Sequence, residues 1–115
     1  MLVEDDDLMR SLLADYLSME GFPVVQCNMD GEIEAIVAFL AQEQPALAVV
    51  DVHSRQIDGF ELLHCIRNDA RLQSMRVLMT SGLDFVLRSY QEGADGFLLK
   101  PYMPEELVNK INDLL

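Results

Sequence analysis

The apolar run Leu47-Ala48-Val49-Val50 ends on a carboxylate, Asp51. Three other short apolar runs also end on reactive groups. Met1-Leu2-Val3 leads into Glu4-Asp5-Asp6-Asp7, the run from Arg76 ends on Thr80-Ser81, and Gly96 to Leu99 leads to Lys100. Together these residue types have one shared chemistry. Carboxylate oxygens, with water and a backbone carbonyl, are the hard donors that suit Mg²⁺. A carboxylate can also act as a nucleophile and form an acyl phosphate. A metal ion and an ammonium beside it would offset the charge of a phosphoryl group in transfer. Singly, each residue has a plainer explanation. Acids ahead of a helix complement its dipole, and an Asp at a strand end is often a turn or cap residue.

The elements around these residues decide whether they meet. Leu8, Leu12, Leu13, Tyr16 and Leu17 recur at helical spacing, which predicts a first helix with these residues inward. Gly21 closes it, and Pro23-Val24-Val25 starts a strand. Asp30 is placed to cap a second helix with inner face Ile33, Ile36, Val37 and Leu40, ending before Pro45. A strand over 47–51 and a helix from Gly59, with Phe60, Leu63 and Ile66 inward, follow. The cycle repeats with a strand over 76–80, a helix over 84–91 and a strand over 96–99. A last helix starts at Pro104 with Leu107, Val108, Ile111 and Leu114 on its core face. Five alternations of apolar strand and amphipathic helix imply one domain, residues 1–115, with a parallel sheet covered on both faces. Ligands of such sheets sit beyond the carboxyl ends of the strands. Glu4, Asp5, Asp51, Thr80-Ser81 and Lys100 all fall at those ends.

Composition narrows the partners. The 115 residues carry a formal net charge of −12, which argues against direct nucleic-acid binding or an anionic membrane surface. No run reaches the roughly 18 apolar residues of a membrane span, and the acidic start is unlike a secretory signal. Cys27 and Cys65 match no metal or redox spacing, so reduced, buried thiols and a cytoplasmic setting are expected.

From Val3 to Leu115 the sequence resembles the receiver domains of two-component response regulators. The residues that carry the resemblance are Val3-Glu4-Asp5-Asp6, Asp51, Asp58-Gly59, Ser81-Gly82, Phe97 and Lys100-Pro101, in family order. It implies a flavodoxin-like (βα)5 fold with strand order 2-1-3-4-5. It also implies Asp51 as phosphoacceptor, with Mg²⁺ held by Glu4, Asp5, Asp51 and the backbone carbonyl of His53. Lys100 would pair with a phosphate oxygen, and Ser81 would be the switch hydroxyl, or Thr80 if the strand slips by one. Phe97 would turn inward as the aromatic switch, and Lys100-Pro101 would be cis. The donor would be a histidine kinase or phosphotransfer protein. The output would pass to a downstream protein target or a fused effector domain, with a homodimer as a further open assembly.

This sequence departs from the family pattern at Ser54 and Arg55, where Met-Pro is usual, and at Met103, where a Ser or Thr cap is usual. The loop after Ser81 is about three residues shorter than is common, and only Met1-Leu2-Val3 precede the acids, as in a trimmed start or a piece of a longer chain. The expected role is a signalling domain, not an enzyme. A receiver-like interaction module that works without phosphorylation is the alternative. An aspartate-nucleophile phosphatase is disfavoured, because it needs a second Asp where His53 stands.

Overall fold

The computed structural model of the chain describes residues 2–3, 7–27, 32–53 and 57–115. Strand β1 (Leu2–Val3) is followed by helix α1 (Asp7–Met19), β2 (Gln26–Cys27), α2 (Ile33–Glu43) and β3 (Leu47–Asp51). Then come α3 (Gly59–Arg67), a 3₁₀ turn at Ala70–Leu72, β4 (Arg76–Ser81), α4 (Val86–Gln91), β5 (Gly96–Leu99) and α5 (Pro104–Leu114). The sheet is parallel, in the order β2-β1-β3-β4-β5.

Strand alternation sends successive side chains to opposite faces, and each face has its own core. Ala48 and Val50 of β3, with Val77 and Met79 of β4, pack against Ile36, Val37 and Leu40 of α2 and the inner residues of α3. Val49, Leu78 and Leu98 pack on the other side against Leu13, Ala14 and Leu17 of α1 and Leu107 and Ile111 of α5. All five residues of β3 are buried, as expected for a central strand of a doubly covered sheet. Arg67, at the end of α3, donates to the Gly93 and Met75 carbonyls (2.7 and 2.8 Å) and to Asp95 Oδ2 (2.7 Å). It thereby ties α3 to the segments on either side of β4.

Several expected details differ. Leu8 and Leu12 are exposed, and the buried stripe of α1 is Leu13, Ala14 and Leu17. The helix carries two apolar i,i+4 pairs about 140° apart, and the sheet covers only one of them. Residues 23–25 lie ahead of β2, because the β1–β2 ladder begins at Leu2↔Gln26 and β2 has no other neighbour among the described residues. The N-cap of α2 is Glu32, without a side-chain cap bond, and Asp30 lies outside the described residues. Helix α4 starts at Val86 and not at Asp84, which instead accepts the Val86 amide at 3.1 Å. Val108 and Leu114 pack against the core as expected, though half-buried. Met103 gives no side-chain cap to α5, but its own amide donates to Glu106 Oε1 at 3.2 Å. Neither cysteine is in a disulfide. Cys27 is buried, which pushes its thiol pKa up against the pull of Arg10, while Cys65 is half-buried.

Candidate functional site

The site is built from the tips of β3, β4 and β5. Asp51 is the last residue of β3 and is 7% exposed. A buried carboxylate is costly unless it is paired, and both oxygens of Asp51 have partners. Oδ2 lies 3.3 Å from the Lys100 ammonium, and Oδ1 accepts the peptide N–H of His53 at 3.3 Å. Lys100 follows β5 directly. Its amide donates to the Ser81 carbonyl at 2.7 Å, which holds the lysine across the end of β4, and its bond to Pro101 is cis. The Val52 amide donates to the Thr80 carbonyl at 2.8 Å and carries the β3–β4 pairing one residue past the strand.

Asp58 and Gly59 support this tip from below. Asp58 caps α3, accepting from the Phe60 amide at 2.9 Å and the Glu61 amide at 3.4 Å, a bond type worth about 1 kcal/mol. His53 and Asp58 form an isolated antiparallel bridge, and the Gly59 amide donates to the Val52 carbonyl at 2.9 Å. A Cβ on Gly59 would collide with the carbonyl oxygen of Asp51 and stand 2.7 Å from Val52 Cα. Sequence reading recognised Asp58-Gly59 as a turn; the close approach that demands glycine became visible only in the packed structure.

Thr80 and Ser81 are both buried, and they face opposite ways. Met79 is in register with Phe97, and both belong to the core under α2 and α3. By alternation Ser81 points to that same face. Thr80 is in register with Leu98 and turns toward the α1/α5 side. Ser81 Oγ accepts the Leu83 amide at 3.1 Å. Phe97 is already inside the core, 7% exposed.

Glu4 and Asp5 lie outside the described residues, as do Ser54 and Arg55. Among the described residues no group of three or more His, Cys, Asp or Glu side chains could hold a metal ion. The donors that are described, the Asp51 carboxylate and the carbonyl of residue 53, are hard oxygens and fit Mg²⁺ chemically. One arrangement was not foreseen from sequence: a line of ring contacts from His53 through Phe85 and Phe60 to Arg88. The spacing of these residues follows no local period, so no sequence signal announced it.

Over its whole length the chain is 37% identical to the transcriptional regulatory protein GltR of Pseudomonas aeruginosa, covering 48% of that protein. It is 32% identical to response regulator Rre1 of Synechocystis, covering 50% of it. The chain thus spans about half the length of these curated relatives. Its fold matches chemotaxis response regulator CheY4 of Vibrio cholerae with a TM-score of 0.86 at 21% identity, covering 99% of this chain and 95% of that one. The signal receiver domain of a signal transduction histidine kinase from Syntrophus aciditrophicus matches with a TM-score of 0.85 at 26% identity, covering 99% and 86% of the two chains. Residues 1–112 match the response regulator receiver domain, and with the part-buried Asp51–Lys100 pair at the strand tips this chain belongs to that family.

Proposed function

We propose that residues 1–115 act as one receiver domain that accepts a phosphoryl group on Asp51. The observation that carries this reading is the Asp51 carboxylate at the tip of a fully buried strand, 3.3 Å from the Lys100 ammonium. The donor is a phosphohistidine of a histidine kinase or phosphotransfer protein. The P–N bond of that donor breaks, and an Asp51 Oδ–P bond forms. The histidine leaves neutral once it takes up a proton. Glu4, Asp5, Asp51 and the carbonyl of His53 would hold Mg²⁺, which supplies positive charge against the incoming phosphate. Lys100 remains beside the new group and binds one of its oxygens. The domain works in the cytoplasm and signals through a separate protein target, a fused effector domain or a second copy of the chain.

Incubating the protein with acetyl phosphate and Mg²⁺ is expected to add one base-labile phosphate, read by intact mass. Chelating the metal should abolish the addition. No uptake even at tens of millimolar Mg²⁺ would overturn the reading and leave a phosphate-independent interaction module. That concentration lies well above the range of ordinary carboxylate sites (about millimolar or below).

Ser81, not Thr80, is the proposed switch hydroxyl, because it shares a sheet face with Met79 and Phe97. Ser81→Ala is expected to keep phosphate uptake but lose most of the amide shifts around Phe97 on adding beryllofluoride. Thr80→Val should retain those shifts. The reverse pattern would assign the switch to Thr80.

A further inference from the structure

The ring contacts beside the site have a consequence for Asp51. The His53 ring lies 5.6 Å from that of Phe85, tilted by 60°. Phe85 meets Phe60 edge-on, at 5.6 Å and 87°. The Arg88 guanidinium sits 4.1 Å from the centre of the Phe60 ring and lies 3.5 Å from the Glu92 carboxylate. Three segments meet here: the loop after β3, the first turn of α3 and the first turn of α4. Edge-on and tilted ring pairs are attractive arrangements, and a guanidinium over a ring adds to them.

His53 is itself exposed, so burial does not hold its ring. The ring of Phe85 lies against its ring, and the bridge to Asp58 restrains its backbone. Its peptide N–H donates to Asp51 Oδ1. Phe85 is half-buried and packs on the core under α2 and α3, so it offers a firm surface.

We propose that Phe85 is a positioning residue for phosphate acceptance: its ring, backed by Phe60 and Arg88, holds His53 so that the residue-53 peptide stays bonded to Asp51. The expected size follows from the worth of one aromatic pair, about 3- to 10-fold in an equilibrium or rate. The proposal rests on the phosphoacceptor reading of Asp51, and the test separates the two.

The comparison is between wild type, Phe85→Leu and Phe85→Tyr. Leucine keeps the apolar bulk and removes the ring, whereas tyrosine keeps the ring. Phe85→Leu is expected to slow phosphate uptake from acetyl phosphate by about 3- to 10-fold, and to speed hydrogen exchange of the His53 amide by a similar factor. Phe85→Tyr should restore both. A Phe85→Leu protein with wild-type uptake and exchange, or a Phe85→Tyr protein as impaired as Phe85→Leu, would overturn the proposal. If the wild type takes up no phosphate, the functional reading falls, and the exchange rate of the His53 amide alone decides the positioning. Should Phe85→Leu fail to fold, Arg88→Ala takes its place, since the Arg88 side chain is 52% exposed. It loosens the stack from the far end, with an expected change of about threefold in both readouts. No change there would equally overturn the proposal.

Discussion

An Asp51→Asn protein is expected to take up no phosphate while remaining folded. Asparagine has nearly the shape of aspartate, and its oxygen can still accept the His53 amide that now bonds Oδ1. What it lacks is the anionic oxygen that attacks phosphorus. The structural loss is the charge of the pair with Lys100, whose side chain is 27% exposed. A pair open to water to that degree is worth about 1 kcal/mol or less, so the melting temperature should fall by no more than roughly 5 °C. Intact mass after incubation with acetyl phosphate and Mg²⁺ measures the first effect, and a thermal melt the second. Labelling at the wild-type level in Asp51→Asn would sink the assignment. So would an unfolded variant, if a refolded sample then accepted phosphate.

Gly59→Ala is expected to damage stability and site together. The added Cβ would collide with the Asp51 carbonyl oxygen, stand 2.7 Å from Val52 Cα and 3.0 Å from the Asp51 carbonyl carbon. All three are backbone atoms, and no flexible side chain can move aside. Either the start of α3 lifts or the tip of β3 bends. Overpacking of this kind costs about 3 kcal/mol at the upper end of its usual range. For a domain of this size that corresponds to a drop of roughly 12 °C or more in melting temperature. Because the displaced atoms belong to Asp51 and its neighbour, phosphate uptake should fall in the fraction that remains folded. Gly82→Ala is the control, since nothing lies within 4 Å of a Cβ built there. Its melting temperature should stay at the wild-type value or rise by up to roughly 5 °C, as for other unstrained glycine-to-alanine changes. Equal melting of the two variants would show that the approach of Gly59 to β3 relaxes at little cost.

The local sequence determined a good deal. Alternating apolar strands and amphipathic helices were readable because each is set by short-range periodicity. The residues on the strand ends, Asp51, Ser81 and Lys100, were readable for the same reason. Each ends its run or follows it directly, so its place on the rim depends only on where that run stops. The aspartate before Gly59 was legible as a turn signal because capping is a contact between near neighbours.

Tertiary structure decided what depends on partners distant in sequence. Which apolar stripe of α1 is buried could not be read from the helix, since Leu8-Leu12 and Leu13-Leu17 have the same spacing and only the sheet chooses between them. Pairing with β1 sets where β2 begins, leaving residues 23–25 outside the ladder. Thr80 and Ser81 are adjacent in sequence, and only the register of β4 against β5 turns Ser81 toward the face that holds Phe97. The need for glycine at 59 arises from the backbone of β3, and the stack of His53, Phe85, Phe60 and Arg88 from three separate segments brought together. These contacts form only once the sheet and its helices have packed. Local periodicity carries no information about them, because the residues concerned touch across the fold and not along the chain.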